Sequence, residues 1–288
     1  MSDGGYSCPP LPAIIYEPLL RRALEEDLGT AGDLTTDAIV PADTLANADL
    51  IVREAGRVAG LDVIGATFRL LDPRVEVTLM VPDGTDATAG QVVGRVAGPA
   101  RSILTGERTA LNLFGRLSGI ATMTRDLVRL VSPYGTRVLC TRKTTPGLRA
   151  LEKYAVRVGG GANHRFGLDD AVLIKDNHIA IAGGVRAAVE RIRRAVGPMV
   201  MVEVEVETLD QVREAIELAV PVILFDNMSM ATLASAVALA RGGATTEASG
   251  GITPENAAAI AATGVDFISV GWLTHGARSL DVALDLVS

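Results

Sequence analysis

The sequence predicts an α/β protein in which a parallel barrel, complete or incomplete, follows a smaller α+β region. Two observations carry that prediction. From Thr136 onward, short apolar or alternating strands at TRVLC, AVLI, MVMVEVEV, PVILF, TTEAS and DFISV alternate with helical stretches, the rhythm of parallel strands joined by crossover helices. At least six such strands suit a barrel better than an open sheet. Over residues 46–97 the rhythm differs: ADLIVREAGRVAG, VEVTLMV and QVVGRVAG are short alternating runs broken by Gly, Pro and Asp, which reads as a small antiparallel sheet. With 288 residues, 48% of them hydrophobic, the chain can bury one barrel-sized core or two smaller ones.

Taken in order, MSDGGYSCPPLP lacks a basic segment followed by an apolar one, and no uninterrupted apolar run approaches a membrane span. A cytoplasmic protein is expected. Cys8 and Cys140 make no disulfide framework and read as reduced thiols. Over residues 16–28, Leu19, Leu20, Ala23, Leu24 and Leu28 recur at helical spacing, and Gly29 closes the helix. AGDLTTDAIV reads as a turn into a short apolar segment. Residues 62–71 form a helix laid against the small sheet. Residues 103–131 form a longer helix, with Arg108 and Asn112 on one face and Leu104, Leu111 and Leu117 on an apolar one. Further helices are expected over 184–196, 209–218 and 254–262.

Barrel sites lie at the C-terminal ends of the strands, which tests the polar residues. Arg142 and Lys143 follow TRVLC, Lys175 follows AVLI, Asp226 and Asn227 follow PVILF, Ser249, Gly250 and Gly251 follow TTEA, and Gly271 follows DFISV. All fall where chemistry is expected. The net charge of −7 argues against general nucleic-acid binding. Against that acidic background, the three lysines of the chain, Lys143, Lys153 and Lys175, all lie within residues 141–179, together with His164 and His178. Lys supplies a compact, tunable charge and Arg a fixed fork, so a stretch mixing them beside Gly159-Gly160-Gly161 reads as a pocket for a polyanion. Lys153 alone there reads as a surface or supporting residue, and His178 as a structural one.

Glu203, Glu205 and Glu207 are spaced to share one side of their strand, where three carboxylates repel unless cations or water meet them. Two glycine turns after the last two strands let backbone amides approach an anion at the usual phosphate position of such barrels.

The stretch over 141–179 resembles the quinolinate phosphoribosyltransferase family on TRKTTPGLR, KYAV, GGG, HR, GL and LIKDNH in that order and spacing. The resemblance runs from about Leu19 to Leu286. It implies an incomplete parallel barrel over residues 117–275 and an N-terminal α+β sandwich domain over residues 1–116, with the tail at about 276–288 packed back on the latter. It implies transfer of phosphoribosyl from phosphoribosyl diphosphate to quinolinate with decarboxylation, giving nicotinate mononucleotide, CO2 and diphosphate. The family match selects Glu205 and Asp226 to hold a Mg²⁺ bound with the diphosphate, or ribose hydroxyls, and requires no organic cofactor. It places the 5-phosphate on Ser249, Gly250 and Gly271 with His275 nearby, and the diphosphate on Lys143. It gives the two carboxylates of quinolinate to Arg142, His164, Arg165 and Lys175, and to Arg108 of a neighbouring subunit in a homodimer or a higher oligomer.

Three positions depart from the family pattern: Cys140 stands for a usual Asp, Gly115 for a common Gln, and Trp272 for a small residue. Competing readings are a paralogue of the same fold acting on another base, a barrel aldolase with a Schiff base on Lys175, and a non-catalytic phosphometabolite sensor.

Overall fold

A computed structural model describes residues 8–287; residues 1–7, the start of the segment read as lacking a basic and then apolar run, lie outside the described residues with Ser288. The chain divides into two compact units, one of residues 1–125, 144–160 and 273–288, the other of residues 126–143 and 161–272.

The first unit carries α1 (Ala13–Leu28), α2 (Leu34–Ile39), β1 (Leu45–Val52), β2 (Gly56–Arg57), α3 (Leu61–Leu71), β3 (Glu76–Leu79), β4 (Asp86–Ala87), β5 (Gln91–Pro99) and most of α4 (Ala100–Val131). Helix α1 starts three residues before the expected Tyr16, with Tyr16, Leu20 and Leu24 buried and Gly29 ending it at φ 54. The segment AGDLTTDAIV is not a bare turn: Asp33 caps α2 by accepting from the Thr36 amide at 3.0 Å. The sheet is antiparallel, in the order β12-β1-β5-β3, where β12 is Val282–Val287. Alternate residues Ala48, Leu50 and Val52 of β1 meet Val93 and Val96 of β5, Ile64 and Phe68 of α3, and Ile103 and Phe114 of α4 in one core. At ~25 cal/mol per Å² of apolar surface removed from water, each large side chain among them contributes about 2–3 kcal/mol.

Helix α4 also meets the chain's own end. Gly115 accepts from the Leu280 amide at 2.9 Å, and a Cβ at Gly119 would overlap the Arg278 carbonyl. Gly119→Ala is therefore expected to destabilise by about 1–3 kcal/mol. Gly197→Ala, which meets open space, should stay within about 0.5 kcal/mol; urea midpoints of the two variants check the contrast.

The second unit is an all-parallel six-stranded sheet in the order β6-β11-β10-β9-β8-β7, an incomplete α/β barrel whose terminal strands β6 and β7 do not pair. Its strands are β6 (Arg137–Leu139), β7 (Val172–Ile174), β8 (Val202–Val206), β9 (Val222–Asp226), β10 (Thr245–Ser249) and β11 (Phe267–Ser269). Helix α5 (Arg149–Val158) belongs to the first unit, whereas α6 (Asp176–Ala182), α7 (Val185–Ala195), α8 (Leu209–Glu217), α9 (Met230–Ala240) and α10 (Pro254–Ala261) follow the strands of the second; α11 (Trp272–His275) is one short turn. Capping explains where several begin. Thr208 and Gln211 form a reciprocal box at α8, and Thr253 precedes a first-turn proline at α10. No helix among the described residues is long and apolar enough to cross a membrane.

Candidate active site

All five residues of β8 are buried, two of them the carboxylates Glu203 and Glu205. A strand covered on both faces is ordinarily apolar, and a buried carboxylate without partners is costly, so each must be answered by a specific group. Glu207, expected on the same side, lies beyond the strand and is exposed; its amide donates to Gln211 at the entry to α8. The inward row is therefore two residues, not three, because the strand ends at Val206.

Glu205 is answered by Lys175. The ammonium Nζ lies 2.7 Å from Glu205 Oε2, at the C-terminal end of β7. His178 fixes the backbone there: its Nδ1 accepts from the Lys175 amide at 2.9 Å, closing the first turn of α6.

Glu203 is answered by His164. The Arg165 amide donates to His164 Nδ1 at 2.8 Å, which places the ring proton on Nε2, and Nε2 lies 2.8 Å from Glu203 Oε2. Glu247 on β10 completes the group, its Oε2 3.8 Å from the same nitrogen. Burial first, and then the Glu203 carboxylate, raise the Glu247 carboxyl to about 8; His164 and a hydrogen bond from Ser269 only partly oppose them. That upward shift favours a proton on Glu247. The three donor atoms lie within 4.8 Å of one another, close enough to hold a cation, and either a cation or a proton on Glu247 would relieve their repulsion. Glu247 was missed from sequence; the one signal was a charged residue inside the strand TTEAS.

Arg142 and Arg165 are half-buried. Arg165 Nη1 donates to the Ala171 carbonyl at 3.2 Å. Burial and then the Arg142 charge lower the Arg165 pKa, so two guanidinium groups stand near one another. Like charges held together in a partly desolvated place describe a site for a doubly anionic ligand. Lys143 is exposed, its amide donating to Thr141 Oγ1 at 3.0 Å. Cys140, where the family's Asp is usual, is buried, with its thiol 3.3 Å from Asn163 Oδ1.

At the ends of β9 and β10, Ser249 pairs with Asp226 in register. The Asp226 carboxylate accepts from Asn227 Nδ2 at 3.0 Å, and the Asn227 amide donates to the Ser249 carbonyl at 3.0 Å. Gly250 sits at φ 89, where a Cβ would overlap the Asn227 amide. Phe225, Asn227, Ser229, Ser249, Gly250 and Gly251 line a cavity of about 310 Å³ there, walled by the glycine backbone expected of a phosphate cradle. Trp272 does not fill it through its ring nitrogen, which donates to the Ile252 carbonyl at 2.8 Å. Gly271 is half-buried at the end of the last strand, and His275 is exposed at the end of α11.

In the first unit, Arg108 is exposed on α4, with its Nη2 3.8 Å from Glu107 Oε1. It borders a cavity of about 650 Å³ lined also by Asn112, Gly115, Arg116, Thr145 and Leu280. Lys153, read as a surface or supporting residue, is 2% exposed: α5 is packed on nearly every side, so a charged residue there is not on the surface. Its neighbour Glu152 is fully buried and accepts from Arg116 and from the Thr145 amide.

Residues 33–118 match the N-terminal domain and residues 120–285 the C-terminal domain of quinolinate phosphoribosyl transferase. A Mycobacterium leprae protein described as nicotinate-nucleotide pyrophosphorylase (carboxylating) is 46% identical over 275 residues, covering 93% of this chain and 95% of that one. The crystal structure of NadC from Streptococcus pyogenes superposes with a TM-score of 0.94 at 41% identity, covering 97% of this chain and 99% of that one. A Francisella tularensis nicotinate-nucleotide pyrophosphorylase superposes with a TM-score of 0.92 at 42% identity, covering 96% and 98%.

Proposed function

Since this chain belongs to the quinolinate phosphoribosyltransferase family, we propose that its strand-end residues transfer phosphoribosyl from phosphoribosyl diphosphate to quinolinate and release CO2, making nicotinate mononucleotide for NAD biosynthesis. The observation that carries the reading is the presence, at one end of a parallel sheet, of two neighbouring guanidinium groups and a glycine-walled cavity. The first suits a dicarboxylate and the second a phosphate.

Quinolinate would place its carboxylates against Arg142, Arg165 and Lys175, with Arg108 supplied by a partner subunit of a homodimer. His164, whose two ring nitrogens face the Arg165 amide and Glu203, would act on quinolinate by fixing the start of the Arg165 segment. The 5-phosphate would sit on Ser249, Gly250 and Gly271, joined by His275, and the diphosphate against Lys143. Glu205 and Asp226 are hard carboxylates, each with one oxygen engaged by a neighbouring side chain and a second suited to Mg²⁺, which when bound supplies countercharge to the diphosphate.

The pyridine nitrogen forms a bond to the anomeric carbon as the carbon–oxygen bond to diphosphate breaks, its electron pair leaving with the diphosphate. The bond from the ring to the adjacent carboxylate then breaks; CO2 departs, the electron pair stays on the ring carbon facing the pyridinium nitrogen, and that carbon takes up a proton. Neither step needs a nucleophilic side chain. Positioning and stabilisation of the leaving group carry the rate.

A Schiff-base aldolase at Lys175 is disfavoured, because the amine is engaged at 2.7 Å by Glu205 rather than standing free in an apolar pocket. The deciding assay follows CO2 and nicotinate mononucleotide from quinolinate, phosphoribosyl diphosphate and Mg²⁺, with nicotinate as the competing base. Equal amounts of both products, loss of activity in EDTA and its return with added Mg²⁺ are expected. Turnover of nicotinate but not quinolinate would move the assignment to another base, and silence with both would sink it.

A further inference from the structure

Asn227 carries no role in the reaction proposed above, yet it touches residues from two of its subsites. It follows Asp226 at the C-terminal end of β9 and sits at φ 49, one of two residues other than glycine with positive φ among the described residues. Side chains in that left-handed region are strained, least so for Asn and Asp, whose short polar groups bond locally. Three contacts accompany the strain. The Asn227 amide donates to the Ser249 carbonyl at 3.0 Å, carrying the β9–β10 ladder one residue past Asp226. The side-chain Nδ2 donates to Asp226 Oδ2 at 3.0 Å. An ionised carboxylate only accepts, so the nitrogen end of the side chain must face Asp226, and Oδ1 is turned to Gly250, where it stands in the space a Cβ would need.

We infer that Asn227 is a positioning residue for phosphoribosyl diphosphate: its side chain holds the Asp226 carboxylate and its main chain holds the turn at Ser249 and Gly250, so that the cation and phosphate subsites keep one spacing. This rests on the roles proposed above for Asp226, Ser249 and Gly250. All four residues lie in the second unit. A carboxylate with one oxygen engaged presents the other in a fixed direction, and loss of such a supporting bond ordinarily costs about tenfold to a hundredfold in metal affinity or activity. Asn227 is exposed, so burial of apolar surface does not offset its strained backbone. Strain of that kind clusters where a conformation serves a site.

Two substitutions separate the side chain from the backbone. Asn227→Gly keeps the positive φ without steric cost and removes the side-chain amide, whereas Asn227→Ala removes the amide and adds strain. Both are compared with the wild type by steady-state kinetics with each substrate varied, by Tm, and by equilibrium binding of Mn²⁺ with inorganic diphosphate, followed through the Mn²⁺ EPR signal; Mn²⁺ suits the same oxygen ligands as Mg²⁺. Asn227→Gly is expected to keep its Tm within about 2 °C, yet to raise KM for phosphoribosyl diphosphate and weaken Mn²⁺ binding by about tenfold each. KM for quinolinate should change by less than about twofold, because Asp226 and Ser249 are assigned to the other substrate. Asn227→Ala should show the same losses with a lower Tm; should it not fold, Asn227→Gly carries the measurement. A purely conformational role predicts wild-type kinetics in Asn227→Gly, and that result would overturn the inference, as would equal rises in both KM values. Mn²⁺ binding equal in Asn227→Gly and the wild type would overturn it whatever the turnover. Absence of turnover in the wild type, with Mn²⁺ binding still weakened in Asn227→Gly, would count against the function proposed above and leave the positioning of Asp226 standing.

Discussion

Lys143→Ala is expected to lower kcat by about a thousandfold while leaving KM for quinolinate within a few-fold. The side chain stands exposed just past β6, its backbone fixed by Thr141, and its proposed partner is the diphosphate, whose charge grows as its bond to the ribose breaks. A group whose interaction strengthens toward the transition state appears in kcat. Arg165→Ala should behave differently, raising KM for quinolinate by about a hundredfold, because removing one of two guanidinium groups leaves a carboxylate of the bound base poorly answered. Steady-state kinetics with each substrate varied in turn separates the two. A Lys143→Ala enzyme with wild-type kcat would remove the leaving-group role, and an Arg165→Ala enzyme with unchanged KM would remove the dicarboxylate site.

The second large effect is on stability and its pH dependence. Glu247 is raised from an ordinary 4.5 to about 8 in the folded protein. Between those values the native state holds a proton that the unfolded state has released, so stability falls as pH rises. The full stability is present below about pH 4.5 as far as this group is concerned, and it is lost progressively up to about pH 8. The loss is on the order of 3–5 kcal/mol. Asp72 and Asp86, held near 2 by their arginine partners, contribute the opposite slope, but only below about pH 4. Glu247→Gln keeps a donor toward Glu203 and removes the titration, so its urea midpoint should change far less between pH 5 and 8 than that of the wild type. Parallel curves for the two proteins would show that the buried acid does not titrate there.

These two effects differ in how far they could be read from the chain. The strand-end positions of Lys143, Lys175, Asp226 and Gly250 were legible, because strand ends can be found from apolar runs and the polar residues that stop them. The antiparallel sheet was legible for a similar reason, since its alternation is local. Glu247 was not. Its meaning depends on register: Glu205 and Glu247 both pair with Leu224 on the strand between them, and no window of consecutive residues contains that fact. Glu152 and Lys153 were obscured by the helix that carries them, because charged residues on an isolated helix look solvated until other segments are laid over it. Helix α2 could have been found, since Asp33 is a good cap ahead of Thr36, but six residues give little periodicity to support it. The same brevity hides β12.

That last strand affects how the molecule is made. Val52 of β1 pairs with Val282 of β12, so a ribosome delivers one partner some 230 residues before the other. The second unit is complete at Trp272, whereas β1 must wait on the nascent chain with one edge open. In most multidomain chains the N-terminal part folds first during translation. Here the sheet that begins first is finished last, and until β12 arrives the open edge of β1 is available to other chains.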